Sequence, residues 1–554
     1  MDRRATLHTL LGKNSDRSTA LKPLVPLGSG LEPYTGPWEY EQAAHLLRRT
    51  MFGPRHQEIK TAAAAGLQAT VNQLFTELAL PAPPINYNFE NDPHVPIGAT
   101  WGNAPYTAGV NAIRNYRNLS LRVWTAEQLL FEGVSIREKL TLFWHNHFGV
   151  SNISDPKFWY QHITTLRTNA WGNFRDLVKA ITIDPAMLRF LNGNQSTRTA
   201  PNENYARELM ELFTLGKGQA AGPGDYTTFT EQDVAAMARV LTGWRDRGYN
   251  TNNPDVAVES YFQANRHDTG NKQLSHRFDN QIITNKGEDE YAYLVDVIFE
   301  RPEVARFISR KLYRWFVYYV IDETTEQAVI APMAQLLEAH DFEIRPVLEA
   351  LLSSAHFYHI LNQGPMIKNP IDFVLSAFRP TAVSLPDNPT QRFQALRDLL
   401  RLTIPMQMEY FNPPDVAGWK AYYQAPAYYR TWISAATLPP RMRYTDTLST
   451  NGYRFGNFYM RANVLEMVKF SDNPYDPVRI VRDWARLLLP QALSESQTAA
   501  LKEILVPGLP DYVWGVEYTN YEAAPNNNAL RNAVETKLRT LLRAMLSMAE
   551  FYLS

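Results

Sequence analysis

The sequence contains no cysteine. That absence excludes disulfides, thiolate zinc sites, iron–sulfur clusters and cysteine nucleophiles, so any metal would have to rest on His, Asp, Glu or carbonyl oxygens. Also missing is any run of about 18 apolar residues free of charge, the length a membrane-spanning helix needs. Neither sign of charge is in excess: 55 Lys and Arg stand against 56 Asp and Glu, a formal net charge of −1. A general nucleic-acid binder carries a basic surplus, so that class is set aside, although a local basic patch remains compatible with the count. There is no fixed-period repeat and no low-complexity tract. What is present is an ordinary globular composition, 45% hydrophobic and 20% charged, over 554 residues. That length matches three or four average domains and can bury a large core without staples. Aromatic residues reach 12%, with 29 Tyr and 12 Trp. Thick helix–helix packing is the first explanation, and a carbohydrate-like ligand surface the second.

The start, Met1-Asp2-Arg3-Arg4-Ala5-Thr6-Leu7, echoes a twin-arginine export signal, but the following Leu10-Leu11-Gly12-Lys13-Asn14-Ser15-Asp16-Arg17 is too polar and short for its apolar segment. Residues 1–36, punctuated by Pro23, Pro26, Gly28, Gly30, Pro33 and Gly36, read as a tail. Without a convincing signal peptide the default compartment is cytoplasmic, with export left open. From Trp38 onward helical spacing dominates. It predicts helices near 40–51 and 55–78, then at about 111–132, 135–148, 157–170, 201–213, 229–243, 288–299, 301–319, 323–339, 343–354, 368–380 and 528–552. The weak alternation Val256–Phe262 predicts one short hairpin. The fold class expected is all-α: a main helical domain over 37–440, long loops, and a C-terminal helical extension over 441–554 packed on it.

Six segments then stand out: His45-Leu46-Leu47-Arg48-Arg49-Thr50-Met51-Phe52-Gly53; Phe143-Trp144-His145-Asn146-His147-Phe148; Asn202 through Gly216; Thr230 through Trp244; His267-Asp268-Thr269-Gly270-Asn271-Lys272; and Asn412-Pro413-Pro414-Asp415-Val416-Ala417-Gly418-Trp419. Together, spread over roughly residues 40–435, they resemble the bacterial family called domain of unknown function 1800. The resemblance implies a bacterial, all-helical protein. It also implies a partner, because relatives are often encoded beside an uncharacterised sulfatase-like family. It transfers no chemical role to any residue. Many members have His where this chain has Phe213, which weakens a metal site built on that helix.

The residues themselves offer several constellations. His145 and His147 are candidate metal ligands. Two positions apart on a helix, they point about 200° from each other, so they share one ion only if the backbone leaves helical geometry; otherwise both are structural. On 201–213, Asn204, Arg207, Glu208 and Glu211 fall on one stripe, with Tyr205, Leu209, Leu212 and Phe213 opposite. The plain reading is a solvated face with Glu203–Arg207 and Arg207–Glu211 pairs. The sharper one makes Glu208 and Glu211 acid/base groups or cation ligands oriented by Arg207, one carboxyl being pushed upward by the other. Asn202 and Asn204 would add ligand-binding amides. His267 and Asp268 lie in a polar loop, His267 being the first choice for a general base or metal ligand, against a turn built on Asp268. Trp419, presented by the rigid Pro-Pro and Gly418 loop and followed by Tyr422, Tyr423, Tyr428, Tyr429 and Trp432, is a candidate stacking platform for a sugar or peptide, or a packing element. Gly-x-Ser-x-Gly, phosphate-loop and dinucleotide glycine motifs are absent from these segments, and so is His-Glu-x-x-His.

Two functions follow. One is a hydrolase or lyase, assisted by a divalent metal ion if any cofactor is used, with Glu208, Glu211, Arg207, His145, His147, His267 and Asp268 around one helical cleft. The other is a non-enzymatic helical scaffold that docks a sulfatase-like partner or a glycan, the same residues serving as buried hydrogen-bond networks.

Overall fold

The structure, a computed structural model, describes residues 30–107 and 111–554. The twin-arginine-like start and most of the 1–36 tail lie outside the described residues. Helix accounts for 56% and strand for 7%. The strands form four separate antiparallel pairs. One of them joins Trp244–Arg247 to Glu259–Phe262, with Trp244 opposite Phe262, at the hairpin expected near 256–262. Among the described residues no helix is long and apolar enough to cross a membrane.

The centre of the molecule is the helix Arg137–His147, in which every side chain is buried. Its polar residues are tolerated there because each first-turn charge has a partner. Arg137 meets Glu132 at 2.5 Å, Glu138 takes Arg167 at 2.6 Å, and Lys139 pairs with Asp372. The helix Pro156–Thr168 packs along it. That helix starts where Asp155 caps the Lys157 amide and Pro156 sits in the first turn, where its missing N–H costs nothing.

Several expected helices are broken. The stretch 55–78 splits into His56–Ala65 and Leu67–Leu74 at Gly66, whose φ of +90° only glycine adopts readily. The stretch 201–213 is α-helical over Glu203–Glu208 and then widens into a π-helix over Leu209–Thr214. Beyond residue 437 the chain is largely helical. Leu438–Ser449, Glu495–Leu505 and Tyr512–Ala523 all pack on the long helix Asn528–Ser547. Arg486 of the helix Pro477–Leu488 reaches back to Glu41 at 2.7 Å, and the final residues pair with Met366–Lys368.

Candidate functional site

The end of the central helix, the π-helix and the Asn412–Trp419 loop meet. The Asn146 side-chain oxygen accepts the Trp419 amide at 2.9 Å, fastening the loop to the helix. Gly149 lies against the Asp415 and Val416 carbonyls so closely that a Cβ there would come within 2.7 Å of both oxygens. Gly418, with φ +87°, lies equally close to the Asn146 backbone. The small residues are thus required by close approach as well as by dihedral angle.

The π-helix is held from outside. A widened turn displaces carbonyls from the regular ladder, and π segments of this kind are frequent at functional sites. Here the Phe213 carbonyl accepts from His147 Nε2 at 3.0 Å, and the Leu212 carbonyl accepts from Lys311 Nζ at 3.1 Å. Burial, with Arg314 nearby, pushes the Lys311 ammonium down to about 7.

Glu208 is the last α-helical residue before the π turn. Its carboxyl is pushed up to about 6, first by burial and then by the carboxylates of Glu211 and Asp415, with Arg207 and Lys217 opposing. The Glu211 carboxylate is met by Lys217 at 3.3 Å. Asp415 comes from a loop two hundred residues away, and it joins a pair that the stripe alone puts together. One half-buried carboxyl is thereby raised toward neutral pH beside two others, the kind of environment that acid–base catalysis uses.

The other residues singled out fall into place around this core. Arg207 does not orient Glu211. It makes a two-pronged bond to Glu231 at 2.6 and 2.7 Å, joining its helix to Glu231–Val240, while Glu203 stays at 3.8 Å. Asn202 caps the helix, accepting the Asn204 amide at 2.9 Å and donating to the Leu191 and Asn192 carbonyls. The Asn204 side chain is exposed.

His145 and His147 go separate ways, as an unbroken helix through residue 147 demands. His147 donates to the π-helix, so its proton is on Nε2. His145 Nε2 accepts the Phe411 amide at 3.2 Å, so its proton is on Nδ1. Burial holds both imidazoles neutral, far below their usual range. Trp419 is 2% exposed and sits edge-on to His145 with ring centres 5.6 Å apart, so it packs the interior rather than forming an open platform. Of the aromatic run that follows, Tyr423 is an exposed ring, at 37%.

His267 and Asp268 belong to another place. His267 bonds the Thr242 carbonyl at 2.9 Å and Glu290 at 3.1 Å, and Lys272 pairs with the same Glu290, all three fully enclosed. Asp268 is taken by Arg239. Arg239 stands eight residues along the helix from Glu231, roughly 12 Å at 1.5 Å per residue, so this loop lies at the far end from Arg207. Among the described residues no group of three or more His, Asp or Glu side chains is disposed to hold a metal ion. His145 and His147 in particular offer no shared face to one.

The protein-family model described as "Protein of unknown function (DUF1800)" matches residues 45–553. The chain belongs to this family. The match runs through the helices beyond residue 437 as well as the six segments first noted. Neither the curated proteins nor the solved structures provide a match. The sequence pattern misses Asp415 as a third carboxylate and Lys311 as a buried amine. Asp415 is visible only as the acidic residue in a loop stiffened by two prolines, and Lys311 carries no signal beyond its place on a helix.

Proposed function

We propose that this protein is an enzyme, a hydrolase or a lyase, in which Glu208 exchanges a proton with the substrate. Burial, reinforced by Glu211 and Asp415, keeps Glu208 protonatable. The reading is carried by Glu208's carboxyl standing at about 6, between two carboxylates brought from separate segments. A carboxyl of that strength is half-charged at about pH 6, nearer to neutrality than an ordinary Glu, which suits proton transfer in either direction. Lys217, beside Glu211, is placed to receive a negatively charged substrate group.

The buried roles of His145, His147, His267 and Trp419 favour the second reading for those residues: they stiffen a helical scaffold, one that would dock a sulfatase-like partner or a glycan. The two readings part on one experiment. The purified chain and its Glu208→Gln variant are incubated with panels of esters, glycosides and uronic-acid polysaccharides, and products are read by mass spectrometry. A product formed by the parent and lost in the variant, with the fold intact by circular dichroism, supports the enzyme. Turnover that survives the substitution removes Glu208 from the chemistry, and no turnover on any panel favours the scaffold.

A further inference from the structure

A cleft of about 580 Å³ opens elsewhere on the molecule, and none of Glu208, Glu211 or Asp415 lines it. Its floor is tied together by one side chain. Arg379, 5% exposed, follows the helix Pro370–Phe378 and donates to the Leu130, Phe52 and Gly53 carbonyls and to Glu58 at 2.8 Å. The end of Asn111–Phe131, the start of His56–Ala65 and the segment after Phe378 are thereby held in one arrangement, as a preformed ligand pocket requires. Past His56, Lys60 and Phe470 the cleft runs into a second hollow of about 250 Å³, which the same three residues line.

Five cations line the cleft, Arg55, Lys60, Arg379, Arg392 and Lys469, and no Asp or Glu does. Two of them are answered from behind: Arg379 by Glu58, and Lys469 by Glu466 at 2.9 Å. Arg55, Lys60 and Arg392 come within 4.0 Å of no Asp or Glu oxygen among the described residues. The acids around them are committed elsewhere. Glu127, which feels the charge of Arg392, accepts from the Tyr87 hydroxyl at 2.6 Å. Asp472 and Asp483, in the adjoining hollow, pair with Arg479 and Arg486. Even with Glu127 set against Arg392, Arg55 and Lys60 remain uncancelled. The first turn of His56–Ala65 borders the cleft as well, and the positive end of a helix adds to that field.

The rest of the wall is apolar. Phe131 is 48% exposed, with the Arg392 guanidinium 5.4 Å from its ring centre. Phe470 lies parallel to His56, their ring centres 5.2 Å apart, and Leu130 and Leu385 add aliphatic surface. A ligand that uses the whole site therefore joins two negative charges to a flat apolar body. A cleft of this volume encloses a molecule of drug or nucleotide size, so inorganic phosphate would leave most of it empty. A monocarboxylate would leave one of the two cations unanswered. A phosphate monoester carries a charge of about −1.5 to −2 at neutral pH, and its oxygens match the planar fork of an arginine.

We infer that this cleft binds an organic phosphate monoester that carries a ring, its phosphate drawn by Arg55 and Lys60 and its ring laid on Phe131. Isothermal titration calorimetry of the full chain tests it with AMP and phenyl phosphate. Adenosine and phenol supply the ring without the charge, and inorganic phosphate the charge without the ring. At least one ester should bind at least tenfold more tightly than its uncharged counterpart and than inorganic phosphate, and less tightly as NaCl is added. Arg55 and Lys60 are exposed, so the double variant Arg55→Gln, Lys60→Gln should keep its circular dichroism and lose at least tenfold in affinity for the ester. Phe131→Ala should weaken the ester severalfold and leave inorganic phosphate unchanged. Failure of both esters to bind, equal affinity for an ester and its uncharged counterpart or for inorganic phosphate, or undiminished binding in the double variant would overturn the assignment. Should a variant not fold, the comparison of esters with their counterparts on the parent chain decides alone.

Discussion

Replacing Glu208 by Gln should stabilise the protein at neutral pH, and only there. The folded state raises this carboxyl from its ordinary 4.5 to about 6, so it holds the proton more tightly than the unfolded chain does. Stability from the protonated form is complete below about pH 4.5 and is lost as pH rises through about 6. The difference corresponds to about 2 kcal/mol for one proton. Because the side chain is partly open to water, which screens its neighbours, about 1 kcal/mol is the expected effect. Gln is a neutral stand-in for the protonated acid, so the variant should match the parent at pH 4 and exceed it at pH 7.5. For a chain of this length that is a Tm gap of roughly 1 °C. Differential scanning fluorimetry on both proteins in one buffer series from pH 4 to 8 reads it. A gap that does not change with pH, or a variant less stable at pH 7.5, would refute the reasoning.

Other substitutions probe the supports. Gly149→Ala places a methyl against the Asp415 and Val416 carbonyls; it should cost about 1–3 kcal/mol in chemical unfolding and loosen the loop that delivers Asp415. Glu290→Gln leaves Lys272 and His267 enclosed without their carboxylate, and about 3–5 kcal/mol of stability should go with it. Asp268→Asn, at a partly exposed pair with Arg239, should cost under about 1 kcal/mol, and comparing the two by urea denaturation tests which of the neighbouring residues is structural. His147→Phe strands the Phe213 carbonyl of the π-helix; a loss of about 1–3 kcal/mol and faster amide exchange over 209–214 are expected.

Much of the helical architecture is legible in the chain because period-3.6 spacing reports a one-sided apolar face. It fails where that premise fails. Arg137–His147 is buried all round with its first-turn charges paired inside, which one-sided spacing does not report. The π-helix at Leu209–Thr214 keeps the same apolar residues as an ordinary helix and adds no residue type that announces the wider turn. At the site, the stripe of Glu208 and Glu211 is visible because helical neighbours are local. Asp415 and the cleft of Arg55, Lys60 and Arg392 are assembled by tertiary contacts across hundreds of residues, which spacing does not encode. His267 looked reactive for its company of Asp268 and Lys272 in sequence, yet its partner is Glu290, twenty-three residues on.

The central claim is that three carboxylates from two distant segments share one field at Glu208. Carbon-13 NMR of side-chain carboxyls, assigned by the Glu208→Gln spectrum and followed from pH 3 to 8, measures it directly. A midpoint near 6 in the parent that falls part of the way toward 4.5 in each of Glu211→Gln and Asp415→Asn, burial holding the rest, is the predicted outcome. A parent midpoint near 4.5, or one indifferent to both substitutions, would contradict it.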